Sequence, residues 1–311
     1  MVRLKKKAMF FTLISILLIG VFLLSFSVYS TYRTREKMFI VESRVKTMNN
    51  FIAGIEQDIE RGLKIAAIRA LLGLENHISE TGEFLNNSKE NFKEAIVNGS
   101  LNNKTLDLTT GSSIKDWIQK INLQAQKVNI ILDYYINDVT VNQSNPWKID
   151  VYLDIDLFVN DTAGIAGWKI SKEIFNQISI IGYEDPIYLI GVFGKTTRTI
   201  NPTNFTTWDI GNLKAHLNAK TYRAYSGAPS FLMRLEGNLS SSLYGIETLI
   251  DTNQLIQYEI PLKYRSSVDY IYWGEQTTTD YSIHNITDDF MPNFRLDSAH
   301  VTSYNVDSYK Y

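Results

Sequence analysis

Four histidines and no cysteine limit the chemistry open to this 311-residue chain. Without a thiol there is no cysteine nucleophile, no disulfide framework, and no thiolate zinc or iron–sulfur centre. A hydrolytic triad has to be built on His284, with Asp280, Asp288 and Asp289 nearby in sequence, or on His300, with Asp297. Neither is accompanied by a Gly-x-Ser-x-Gly elbow, and the chain contains no His-Glu-x-x-His and no phosphate-binding loop. His77 and His216 fall in helical segments and read as structural. Asp150, Asp154 and Asp156 share one face of a strand, with Asp161 just beyond. Carboxylates two residues apart on a strand stand about 6.6 Å apart. Ca²⁺ gathers six to eight oxygens at about 2.3–2.6 Å, so these aspartates read as a solvated acidic face. Tyr264, Tyr270, Tyr272 and Trp273 form either a contact surface or ordinary sheet residues. These residues assign no catalytic group, metal or cofactor.

A more frequent motif is Asn-x-Ser/Thr, found at Asn86, Asn98, Asn103, Asn142, Asn160, Asn204, Asn238 and Asn285. With 25 Asn and 48 Ser plus Thr, chance gives about four, so eight is twice that number. These asparagines are candidate glycosylation sites. Lysine and arginine number 31 against 33 acidic residues, a balance that gives no reason to expect nucleic acid.

The elements carrying these residues begin with a basic segment, 1–7, holding Arg3, Lys5, Lys6 and Lys7. Ala8 to Tyr32 follow without a charge, and the apolar part, 8–30, rises about 33 Å as a helix, enough for a bilayer core. A secretory signal has a shorter apolar region; Ser25-Phe26-Ser27 is the one cleavage site such a reading could use. Basic residues flank both ends, so charge alone does not orient the span. The sequons, all at or beyond Asn86, place the C-terminal part outside and a short N-terminus in the cytoplasm.

From 31 to 82 the pattern is that of an amphipathic stem. Met38, Val41, Val45, Met48, Ile52, Ile55 and Ile59 are spaced alternately three and four residues apart. No stop signal appears before Gly82, so one helix is expected from Ala8 to about Glu80. Gly54, Gly62 and Gly73 are candidate bends. The stripe fits packing on the chain's own domain and packing on copies of itself equally well.

All six prolines lie at or after residue 146, dividing a helix-permissive first half from a turn-rich second half. Helices are expected at about Lys89–Val97 and from Ser113 to Lys127. The period then changes to two. Trp147, Ile149, Val151, Leu153, Ile155, Leu157 and Val159 alternate with polar or aromatic partners, the clearest strand in the chain. An antiparallel meander over about 128–181 follows from the short connections. Further on, Ile210 starts a short helix, and Ser230–Glu236 and Gly245–Asp251 read as helical turns. Gln257–Leu262 and Val268–Trp273 read as strands. The fold class is α+β: a long transmembrane-plus-stem helix, then an extracellular domain, 83–311, of helices and an antiparallel meander.

Phe11-Thr12-Leu13-Ile14, after Lys5-Lys6-Lys7-Ala8 and at the head of a long apolar helix, resembles the start of archaeal type IV pilin precursors. The resemblance covers about the first 80 residues. It implies removal of the basic leader near Ala8, Met9, Phe10 and Phe11, and packing of the apolar helix in a filament core below a β-rich head. The chain departs from the family pattern with Phe10 in place of Gly and Ser15 in place of an acidic residue. The segments around Phe231–Asn238, Val268–Trp273 and Phe294–Asp297 are similar to those of uncharacterised archaeal membrane-anchored surface proteins. The expectation is a single-pass cell-surface protein without enzymatic activity. Its partners are membrane lipid and either itself or other pilin-like subunits. The alternative is a monomeric tethered binding module for a glycan, solute or envelope protein.

Overall fold

The computed structural model describes the backbone of residues 2–311 and the side chains of 9–311; the side chains of the basic leader and of Ala8 lie outside the described residues. Helix α1 (Val2–Thr81) runs unbroken for 80 residues. It stops where Gly82 takes a left-handed conformation (φ +68°) and returns its N–H to the Ile78 carbonyl.

The second half of α1 is the spine of the main core. Met48, Ile55, Ile59, Leu63, Ala67, Leu71 and Leu74 are buried, while Val45 and Ile52 are half-buried. Packing on the chain's own domain therefore accounts for the stripe from Met48 onward. Met38 and Val41 depart from the expectation and are exposed, because the head starts only where Arg44 reaches it. The helix continues through Gly54, Gly62 and Gly73, and a Cβ on Gly62 would collide with the Trp117 ring, so its absence lets a neighbouring helix approach.

Helix α2 (Ser88–Asn98) begins at Asn87, whose side chain accepts from the Glu90 N–H, and ends at Gly99. A small hairpin, β1 (Ser100–Leu101) with β2 (Lys104–Thr105), leads to α3 (Ile114–Lys127). Ser113 and Asp116 form a reciprocal capping box at the start of α3. These helices cover one face of the antiparallel meander β3 (Ile130–Asn145), β4 (Lys148–Asp161) and β5 (Gly167–Ser179), in the order β3-β4-β5. The inward set of β4 is realised, with Ile149, Val151, Leu153, Ile155, Leu157 and Val159 all buried, while Trp147 lies just before the strand, half-buried, and Asp150 on the other parity is also buried. In β3 the inward parity changes from Ile130 and Leu132 to Val139 and Val141. A register shift between Ile136 and Asp138 moves one residue out of the ladder.

After the meander the chain forms short elements. They are α4 (Pro186–Gly191), α5 (Ile210–Ala219), β6 (Arg223–Ala224), α6 (Phe231–Leu235), β7 (Ile246–Glu247), α7 (Thr252–Gln257), α8 (Asp269–Trp273), β8 (Asp280–Ser282), β9 (Arg295–Asp297) and α9 (Ser298–Ser303). Three sequence readings change here. Val268–Trp273 is a helical turn, not a strand. Gln257 ends a helix capped by Asp251, and 258–262 carries no strand. Gly245–Asp251 holds strand β7 in place of a helical turn. In runs of five or six residues, apolar content does not fix a period, and burial in a second cluster decides. The tyrosine-rich end docks: the backbones of Ser282 and Tyr311 exchange hydrogen bonds, and Phe294, Leu296, Val301 and Tyr304 are buried.

Candidate functional site

Two arrangements stand out once the chain is folded. The first is the apolar half of α1. Every large apolar side chain from Met9 to Val41 is exposed, by between 40% and 74%. That segment holds an 18-residue window of mean hydropathy 2.6 with none of it buried. Met9, Phe10 and Phe11, the described residues of the expected processing point, lie on this bare helix. The helix is long and apolar enough to cross a membrane. The described part from Met9 to Tyr32 rises about 36 Å. Met38, Phe39, Ile40 and Val41 then form a second apolar collar, beyond Arg33, Arg35 and Lys37 and still outside the head. Where α1 enters the head, Arg44 clasps it, donating to the Asp161 carboxylate at the end of β4 and to the Asn129 carbonyl before β3. Asp161 is buried and also accepts from the Ala163 N–H at 2.9 Å.

The second arrangement is a pair of buried charge networks that meet at the β6–β7 ladder, one through the Ile246 carbonyl and one through Arg223 and Glu247. Arg234, fully buried, places Nη1 2.6 Å from Asp185 Oδ2 and 2.8 Å from Asp269 Oδ2, and Nη2 donates to the Ile246 carbonyl. Tyr222 Oη donates to Asp185 Oδ2 at 2.8 Å. Burial pushes the Asp269 carboxyl up to about 6 against the pull of Arg234.

The neighbouring residues Arg223 and Glu247 build the other network. Arg223 Nε donates to Glu247 Oε1 at 2.6 Å, and its guanidinium lies 3.6 Å from the Tyr304 ring centroid. His300 sits between two carboxylates, with Nδ1 2.7 Å from Asp297 Oδ2 and Nε2 3.0 Å from Glu247 Oε2. Burial alone would lower its pKa. The charge of Glu247 and the hydrogen bonds that the ring donates to both carboxylates override this and hold it at about 9. The imidazolium makes this network electrically neutral: two cations, Arg223 and His300, face two anions, Glu247 and Asp297.

This geometry answers the triad question for His300. Both ring nitrogens are engaged by carboxylates, and the nitrogen that would face a nucleophile faces Glu247. His284 is exposed elsewhere, bonded to Asp288 at 2.7 Å and stacked on Tyr311 at 4.0 Å. His216 is buried, and desolvation lowers it to about 4; His77 lies half-buried on α1. The four strand aspartates do not form one acidic face. Asp150 is buried and accepts from Ser144 and Gln177, while Asp161 pairs with Arg44. The aromatic run is also divided, with Tyr264 exposed and Tyr270 and Tyr272 buried.

No family model, curated protein or solved structure matches the chain. All eight sequon asparagines, Asn86, Asn98, Asn103, Asn142, Asn160, Asn204, Asn238 and Asn285, are solvent-exposed, as attachment of a glycan requires. Sequence reasoning missed the Asp185–Arg234–Asp269 network. Its signal is a charge inside an otherwise apolar run, in Phe231-Leu232-Met233-Arg234-Leu235 and in Val268-Asp269-Tyr270-Ile271-Tyr272.

Proposed function

We propose that this chain is a membrane-anchored surface protein that acts by assembly, pilin-like in layout. Its helix would be held in lipid and against sister or related helices, with a glycan-competent head outside the cell. One observation carries the reading: a single helix exposes every large apolar side chain from Met9 to Val41 and becomes the spine of the head's core from Met48 onward. Met9–Val41 has no apolar partner among the described residues, and in this reading lipid or other helices supply it. The collar Met38–Val41 supports protein partners as well as lipid, because it lies past the charged residues that follow the membrane span. The exposed sequons support an outward-facing head.

The test is intact mass and N-terminal sequencing of the protein isolated from its native membrane. A mature chain beginning between Ala8 and Phe11, with added glycan mass, is the expected result for a processed, assembling subunit. A chain that retains Met1 or Val2 would replace assembly by permanent tethering. Recovery from the soluble fraction would refute anchoring altogether.

A further inference from the structure

Just beyond the C-terminus of α1, Phe84 enters the wall of a cavity of about 370 Å³. It is lined by Phe84, Ile187, Phe193, Leu239, Ile260 and Trp273, and the charge at its edge is Lys263. Three features of this rim break local rules of folding. Phe193 is a bulky residue in the left-handed region (φ +55°), where glycine or asparagine is the ordinary choice, and its ring is 75% exposed. Lys263 holds its ammonium 5.4 Å from the Trp273 ring centroid and makes no salt bridge among the described residues. Arg265 repels it and Glu275 attracts it, from beyond ion-pair distance. Trp273 is the third: its buried indole N–H has no acceptor in the described residues. The lining offers no carboxylate or amide side chain, the groups that grip the hydroxyls of a sugar. An apolar cavity of this size with one unpaired cation suits a small ligand with an apolar body and an anionic head.

We propose that this cavity binds a soluble single-chain amphiphile with one anionic head, of the fatty-carboxylate class. The apolar body would lie against Phe193 and Trp273 and the head against Lys263. The membrane's own lipids are not the source. Forty residues of α1 separate Val41 from Thr81, about 60 Å of helix, and Phe84, three residues further on, lines the cavity. The proposal is independent of the assembly reading, since an assembled head and a solitary one carry the same cavity. Asn238 stands between two lining residues, Gly237 and Leu239. A glycan there would stand at the mouth, and the test therefore uses chain made without N-glycosylation.

The experiment titrates the full chain in lipid nanodiscs with octanoate, followed by ¹⁹F NMR of 5-fluorotryptophan. The Trp273 resonance is identified by its loss in Trp273→Phe, and empty nanodiscs correct for partition. The expected result is a saturable shift of the Trp273 resonance. Lys263→Glu should weaken binding at least tenfold, and octyltrimethylammonium should produce no saturable shift. Phe193→Asn relieves the backbone strain, so it folds at least as well as the parent, and it should also lose at least tenfold in affinity. No saturable shift with octanoate, equal binding of the cationic amphiphile, or unchanged affinity in both variants would overturn the proposal.

Discussion

His300→Gln tests the buried network through its proton. In the folded chain the imidazole titrates at about 9, against 6.5 for an unperturbed histidine. A group whose pKa is raised by folding contributes stability that is fully present below its unfolded pKa. That stability is lost as pH rises through the folded value. The window here runs from 6.5 to about 9. Each pKa unit is worth about 1.4 kcal/mol, so the full shift contributes about 3 kcal/mol, an upper figure for a side chain that is almost completely buried. Glutamine keeps the size and one donor but cannot carry the charge. The assay is urea denaturation of the full chain in nanodiscs, followed by near-ultraviolet circular dichroism at several pH values across that window. The parent should lose about 3 kcal/mol more than the variant between the two ends. Below pH 6.5 the variant should be the less stable of the two, because Asp297 loses its cation and Glu247 keeps only Arg223. Parallel pH profiles for parent and variant would refute the imidazolium assignment and the neutral network built on it.

Three further outcomes follow from the packing and charges. Arg234→Met leaves Asp185 and Asp269 buried without a cation and should cost about 3–5 kcal/mol in urea denaturation; adding Asp185→Asn should return part of the loss, and no return would break the assigned pairing. Ile59→Ala, at a fully buried site, should cost about 2–5 kcal/mol, whereas Met38→Ala on the exposed collar should leave the denaturation midpoint of the head unchanged. Gly62→Ala forces a methyl into the Trp117 ring and should cost about 1–3 kcal/mol. Gly54→Ala meets nothing within 4 Å and should stabilise the helix by about 0.5–1 kcal/mol, a difference in sign readable by thermal denaturation.

The parts of the fold legible in the sequence are those with long periods. The helix from Ala8 to about Glu80 and the meander centred on β4 rest on repeats of many residues, and the start of α3 at Ser113 on a capping side chain; the reciprocal bond from Asp116 and the extension of the helix back to Val2 come from the structure. The C-terminal elements are two to ten residues long, and there the sequence misread Val268–Trp273 and Gly245–Asp251. Tertiary contacts outweigh propensity at that length. The same limit hid the charge networks. Asp185, Arg234 and Asp269 are far apart in the chain, and only packing brings them within 3 Å. The exposure of Met38 and Val41 was also hidden, because a heptad stripe records which side of a helix is apolar and not where its partner begins.

The continuity of α1 has a consequence for orientation. Along Met9–Thr81 no loop interrupts the rod that joins the apolar end to the head, and Arg44 pins the head to one side of it. Such a rod transmits rotation as well as distance. Each residue advances about 1.5 Å and turns about 100° around the axis. Inserting one residue between Thr34 and Met38 would raise the head by little more than an atom's width, yet swing it through more than a quarter of a circle. Four insertions would bring it nearly back to its original bearing, one turn higher. The spacing between the apolar end and Arg44 is therefore an angular setting, and under the proposed assembly it would fix which side of the head meets a neighbour.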